Sequence, residues 1–221
     1  MGLYDEHYQK SCDLRDEFWG KIGEVHPDVL APMVSQGPRW PSGRQAFKYI
    51  KAGDTTIVTS DGLTDPYEDM ESNEQNAKYN GFGMEVYIEA SEELVPTNSK
   101  DKWQFHMLFQ MAMQVAHFGN IITQIEKHQY MTTEVYDVPA PDTWRNEEGR
   151  VGVLMGLNSK LVPQKCELSL EPVRFINLKL LTLNELNYVI EKGAEGRMEL
   201  AEAFNALDHG SLSSLDRESL K

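Results

Sequence analysis

Apolar and polar positions alternate most clearly from Phe82 to Glu89, where Phe82, Met84, Val86 and Ile88 interleave with Gly83, Glu85, Tyr87 and Glu89. A period of two sends alternate side chains to opposite faces of a strand. The pattern predicts one face on a core and a polar face, Glu85 and Glu89 included, turned to water or a partner. Upstream, the β-branched run Thr55–Ser60 and the segment Gln45–Ala52 flank Gly53-Asp54, so they are expected as paired strands. The period changes at Asp101. From there to Phe118 the apolar residues Trp103, Phe105, Met107, Leu108, Phe109, Met111, Met113, Val115 and Phe118 fall on most sides of a helix. Such a helix is expected to be covered on more than one side, capped by Asp101 and closed by Gly119-Asn120.

Around these segments the remaining elements follow. Tyr8, Cys12, Trp19 and Ile22 recur at helical spacing between Asp5 and Val25, with Leu14 and Phe18 widening the stripe and Pro27 as a limit. Shorter strands are expected near Tyr130–Val138, Arg150–Leu157, Lys165–Leu170 and Val173–Leu181. Thr182-Leu183-Asn184-Glu185 has the spacing of a capping box, so a helix is expected from there to Gly193, and another from Glu195 to Leu207. The serine-rich 208–221 reads as a disordered tail. The order of helix, strands, helix, strands, helices predicts an α+β fold, with a mixed or mostly antiparallel sheet packed by helices. The expected partition is 1–44 as a helix and loop on the domain, 45–193 as the core, 194–207 as a C-terminal helix, and 208–221 as the tail.

The chain has 221 residues and a formal net charge of −14, with 35 acidic against 21 basic residues. That balance opposes nucleic acid and anionic membranes, where affinity comes from Lys and Arg, and favours encounter with a basic partner. No apolar run approaches the ~20 residues of a transmembrane helix. Cys12 and Cys166 form no motif, and the N-terminus has no leader-like pattern, so a reducing cytoplasm is the expected location.

The chemistry that could be looked for is sparse. No phosphate loop or nucleophile elbow occurs. His106 and His117 share a helical face but stand ~16 Å apart, too far for one metal, and Asp61, Asp65 and Asp69 lack the remaining ligands of a calcium loop. No metal and no cofactor is expected. The surface signals are stronger: an acidic loop with Asp61, Asp65, Tyr67, Glu68 and Asp69, and the aromatics Trp40, Tyr79 and Trp144, all in loops. Aromatics beside charge are typical of interface anchors, so these eight residues are the candidate partner-binding set.

The run Ile57-Val58-Thr59-Ser60, then Asp61-Gly62-Leu63-Thr64-Asp65, then Asn80-Gly81-Phe82-Gly83-Met84-Glu85-Val86, followed by a long apolar helix, resembles the suppressor-of-fused domain. That family has a strand leading into Gly-Leu-Ser/Thr and, downstream, a Gly-Phe-Gly-hydrophobic-Glu-hydrophobic strand. The likeness spans Gln45 to Lys192 and implies a single domain that binds without catalysis. Animal members sequester a transcription factor by gripping an extended peptide of it; lone bacterial domains are candidate immunity proteins that neutralise toxins. The chain leaves no room for a second full domain after Gly193, so the contact residues of a two-domain clamp are not transferred. The expected function is a non-catalytic protein–protein interaction module, an immunity-type inhibitor of a basic, toxin-like protein. The alternative is a hydrolase or transferase whose carboxylates converge only in the fold.

Overall fold

The structure, a computed structural model, describes residues 2–221. Helix α1 (Leu3–Gly20) is followed by strands β1 (Glu24–Val25), β2 (Ala46–Ala52), β3 (Thr55–Asp61) and β4 (Met84–Ala90). Then come helices α2 (Trp103–Phe118) and α3 (Ile121–His128), strands β5 (Met131–Val135), β6 (Val151–Met155), β7 (Lys165–Glu167) and β8 (Pro172–Leu181), helix α4 (Leu183–Asn205) and strand β9 (Leu212–Ser213). The strands form one sheet in the order β1-β2-β3-β4-β8-β6-β5, with β7 on β8 and β9 on β4. β4 is parallel to both β8 and β9, and every other pairing is antiparallel, so the fold is α+β around a mixed sheet. No helix among the described residues is long and apolar enough to cross a membrane.

Both faces of the sheet are covered. On one face α2 buries Trp103, Met107, Leu108, Met111 and Val115 against Phe47, Val58, Val86, Ile88 and Ile176. On the other, Trp19 of α1 packs with Ile50, Ile57, Tyr87 and Phe175, and Leu200 and Phe204 of α4 pack with Tyr130, Leu154 and Leu181. This second cover corrects the expected solvent face of β4: Glu85, Tyr87 and Glu89 are all buried. A strand covered on both sides can still alternate in polarity when the covering layer supplies charges of its own. Here α1 buries Ser11, Arg15 and Trp19 in a line four residues apart.

Other expectations are met in detail. Thr182 Oγ1 accepts from Glu185 N–H at 3.3 Å, while Thr182 N–H donates to Glu185 Oε2 at 2.8 Å, forming the capping box. Gly193, at φ 62° and ψ −131°, breaks α4 where the sequence places a helix end. Lys102, not Asp101, stands at the N-cap of α2. α3 and the two-residue strands β1 and β9 are additions.

The 208–221 segment is packed, not frayed. β9 lies along β4 with Glu89 opposite Leu212, and Leu180 N–H donates to Ser213 Oγ at 3.0 Å. Arg217 pairs with the buried Glu185, donates to Leu180 O at 2.8 Å, and lies over the rings of Trp144 and Phe204. Short polar tail residues can dock this way because β4, β8 and α4 leave buried polar groups to be answered. Ser211 Oγ donates to Glu89 Oε2 at 2.7 Å, and Lys179 donates to Leu212 O.

Candidate interaction surface

The candidate surface is built on the β3–β4 connection, residues 62–83. The β3–β4 ladder ends at Thr59–Tyr87, where the Ser60 hydroxyl accepts from Val86 N–H at 3.0 Å. Below the loop lies a buried ionic cluster. Arg15 Nε donates to Asp61 Oδ1 at 2.9 Å, a second guanidinium nitrogen reaches Asp65, and Arg44 Nη1 donates to Asp61 Oδ2 at 2.8 Å. Lys48 Nζ stands 3.3 Å from Asp61 Oδ2. Burial alone would raise the Asp61 carboxyl, but Arg15, Arg44 and Lys48 outweigh it and hold the group well below the usual carboxylate range.

Glu85 completes the cluster. Its Oε1 accepts from Gly62 N–H, Thr64 N–H and Thr64 Oγ1 at 2.8–3.0 Å, and Oε2 accepts from Ser60 Oγ. Burial raises this carboxyl, partly countered by Arg15. Asn80 fastens the loop's far end: its side chain donates to Ser11 Oγ and Thr64 O and accepts from Leu170 N–H and Glu171 N–H. Phe82 N–H donates to Leu63 O at 2.8 Å, which joins the two ends. Gly81 makes that closure possible: it sits at φ 55°, and a Cβ there would lie 2.2 Å from Leu63 O.

The eight candidate residues divide on this scaffold. Asp61, Asp65, Trp40 and Trp144 are buried, and of these Trp40 still borders the cavity that Tyr67, Glu68 and Asp69 line. The two aspartates are the anions of the ionic cluster, Trp40 meets Phe47 edge-on at 5.9 Å, and Trp144 lies under Arg217. Loop position misled here because aromatic lids and ion-pair anchors have the same local composition as interface residues. The other four reach the outside. Tyr67 is half-buried, Glu68 and Asp69 are exposed, and Tyr79 is 47% exposed. Tyr67, Glu68 and Asp69 line a cavity of about 250 Å³ with Arg39, Pro41 and Asn76. Arg39 pairs with Glu68 across it, and Asp69 accepts from Asn76 Nδ2 at 2.7 Å.

Tyr67 also meets Phe82 edge-on at 6.2 Å, and Phe82 lines a second cavity, of about 440 Å³, together with Tyr79, Glu126, Glu171 and Arg174. Burial raises the Glu171 carboxyl; an N–H from Asn80 opposes this and the charge of Glu126 adds to it. The sequence reading missed Glu126, Glu171 and Arg174, which come from α3, the turn before β8, and β8. Nothing local marks them. Phe82 stands in the Gly-Phe-Gly run, which the sequence marks as a strand start and as part of the family likeness but not as a surface residue.

Chemically the face offers aromatic edges and carboxylates. Carboxylates converge in two places: Asp61 and Asp65 meet at the Arg15 side chain in the interior, with Glu85 buried nearby, and Glu126 and Glu171 share the cavity of about 440 Å³. Among the described residues no group of three or more His, Cys, Asp or Glu is placed to hold a metal ion, and both cysteines are free thiols.

The fold is similar to that of solved suppressor-of-fused proteins. It matches a chain of the Sufu–Fu complex crystal structure with a TM-score of 0.52 at 12% identity, over 96% of this chain and 91% of that one. It also matches Drosophila Suppressor of Fused with a TM-score of 0.45 at 13% identity, over 74% of this chain, and spans 38% of that protein's chain. No family model and no curated protein sequence matches the chain. The likeness is one of fold alone, an α+β architecture like that of the Sufu–Fu complex structure.

Proposed function

We propose that this protein is a protein-interaction module that works by binding, through the face built on the β3–β4 loop. The observation that carries the reading is the division of labour in that loop. Asp61, Asp65, Asn80 and Glu85 staple it to the sheet, while Tyr67, Glu68, Asp69 and Tyr79 are held outward around two adjoining cavities. A rigidly presented aromatic–acidic patch loses little entropy on association. The solved protein of similar fold was crystallised as the Sufu–Fu complex, which supports a binding role.

The finer reading is a stoichiometric inhibitor of a basic protein, of the immunity type, acting in the cytoplasm. The net charge of −14 supports it through faster encounter with a cationic surface, and the two free thiols suit a reducing compartment. Binding is favoured over hydrolysis because Asp61 and Asp65 are ion-paired in the interior and Glu85 is buried there by four hydrogen bonds.

The test is affinity capture from the source lysate at low and high salt, followed by titration of the captured partner. The triple variant Tyr67→Ala, Glu68→Lys, Asp69→Lys is expected to weaken binding by about tenfold or more. A captured partner bound equally by the variant sinks the assignment of this face.

A further inference from the structure

The C-terminal segment is held mainly by polar groups. β4 pairs with β8 as far as Tyr87–Asn177, and from Glu89 it pairs with β9 instead. Ser213 Oγ bridges to β8, accepting from Leu180 N–H at 3.0 Å and donating to Leu178 O at 3.2 Å. Further along, Arg217 reaches Glu185 and Leu180 O, and Glu185 Oε1 accepts from Leu220 N–H at 3.0 Å. None of the buried residues of the three apolar clusters comes from 208–221, and Leu215 alone leans on one of them. Losing the segment therefore exposes little apolar surface, which is the condition for a local opening of the native protein. Such an opening is a fluctuation below the global transition and leaves the three clusters closed.

Beneath the segment lies Lys179, 2% exposed, whose ammonium donates to Leu212 O. Arg217 faces it from the segment, Glu185 from α4 and Glu89 from β4, and the Phe204 ring centre is 4.7 Å away. Neither carboxylate answers its charge directly. Glu185 is engaged by Arg217, while Glu89 accepts from Ser211 Oγ through Oε2 and its Oε1 has no partner. Docking thus sets a second cation beside Lys179 and gives it a neutral carbonyl for a partner. A buried charge without a close counter-ion is costly, so a charged Lys179 opposes docking and a neutral one does not. Burial, and then Arg217, hold its pKa at about 7 in the docked state. Release admits water and removes Arg217, which returns the amine towards 10.5. Docking therefore expels a proton between these values: it is weakest at pH 7 and below, and tightens as the pH rises above 7.

We propose that residues 211–220 form a strap that leaves and re-enters its seat between β4, β8 and α4 as one unit, the charge on Lys179 setting how often it is out. Release uncovers the Trp144 and Phe204 rings and the Glu185 carboxylate, all of which Arg217 covers when docked.

The test is native-state hydrogen exchange on the full chain at pH 7, 8 and 9, read as protection after correction for the intrinsic rate at each pH. Leu180 N–H and Leu220 N–H report on the strap, and Val86 N–H, bonded to Ser60 Oγ, reports on the core. At pH 7 the strap amides are expected to be at least about tenfold less protected than Val86 N–H. Their protection is expected to rise by up to about tenfold per pH unit in the wild type and to stay flat in Lys179→Met. Ile57→Val, a mild core change in the α1 cluster, is expected to lower the protection of Val86 N–H about fivefold and leave the strap amides unchanged, because strap opening keeps that cluster intact. Equal protection of strap and core in the wild type overturns the proposal, since the segment then opens only with the whole fold. A strap that loses protection in Ile57→Val as the core does, or a pH dependence that survives in Lys179→Met, overturns it equally.

Discussion

Arg15 shows how a single charged residue can organise a fold from within. It has no exposed surface, and both of its carboxylate partners are buried. Replacing it by an apolar residue leaves Asp61 and Asp65 without their innermost cation, and breaking a buried pair from one side costs about 3–5 kcal/mol. Arg15→Met is therefore expected to lower the unfolding free energy, read from a denaturant titration, by an amount of that order. Arg39→Met, which removes the exposed partner of Glu68, is expected to cost less than ~1 kcal/mol. Equal costs would mean that the buried cluster adds nothing beyond a surface ion pair. At this scale the sequence was least legible. Arg15 lies 46 and 50 residues from its partners, and a helical Arg between Leu14 and Asp16 reads as a surface residue until the tertiary pairing is known. The same holds for Asp61 and Asp65, whose acidity looked like a surface feature and is a buried anchor.

The elements with a sustained period were legible, while those made by tertiary contact were not. β3, β4, α2 and the capping box of α4 lie within a residue or two of their predicted places, because alternation, apolar density and Thr182/Glu185 are local signals. β9 is the opposite case. Two residues of a polar tail become a strand only because β4 and β8 diverge beyond Tyr87–Asn177 and leave backbone and charges to be met. That docking carries a pH signature through Lys179, whose ammonium donates to Leu212 O. Burial, and then the neighbouring Arg217, push its pKa down from 10.5 to about 7, against the pull of Glu185 and Glu89. Between these values the unfolded chain holds a proton that the folded chain has released, so stability rises with pH above 7 and the full cost of the buried charge is felt below it. The slope approaches ~1.4 kcal/mol per pH unit from this group. Urea midpoints at pH 7 and pH 9 are expected to show that rise in the wild type and to lose it in Lys179→Met. A slope that persists in the variant would assign it to another group.

At the scale of the whole molecule both ends of the chain are structural, and 208–221 is packed where a disordered tail is expected. Residues 1–44 supply α1, which closes one face of the sheet, and 208–221 supply β9 and Arg217, which tie β4 and β8 to α4. The core expected over 45–193 therefore has all three of its apolar clusters completed from outside that range: Trp40 enters one, Trp19 another, and Leu200, Ala201 and Phe204 the third. Because a single sheet forms a wall of all three, no cluster can open without exposing β4, β6 or β8 to water. Unfolding should thus be one cooperative transition rather than a loss of ends followed by a loss of core. The four tryptophans make this measurable. Trp19 reports on the α1 cluster, Trp40, Trp103 and Trp144 report on the α2 cluster, and far-UV circular dichroism reports on the backbone throughout. In guanidinium the fluorescence and dichroism curves are expected to coincide, and Trp19→Phe is expected to leave the remaining fluorescence transition in register with its own dichroism. An early fluorescence phase that disappears with Trp19→Phe would show α1 to be a detachable cover, and the partition read from the sequence would then describe the energetics better than the shared sheet does.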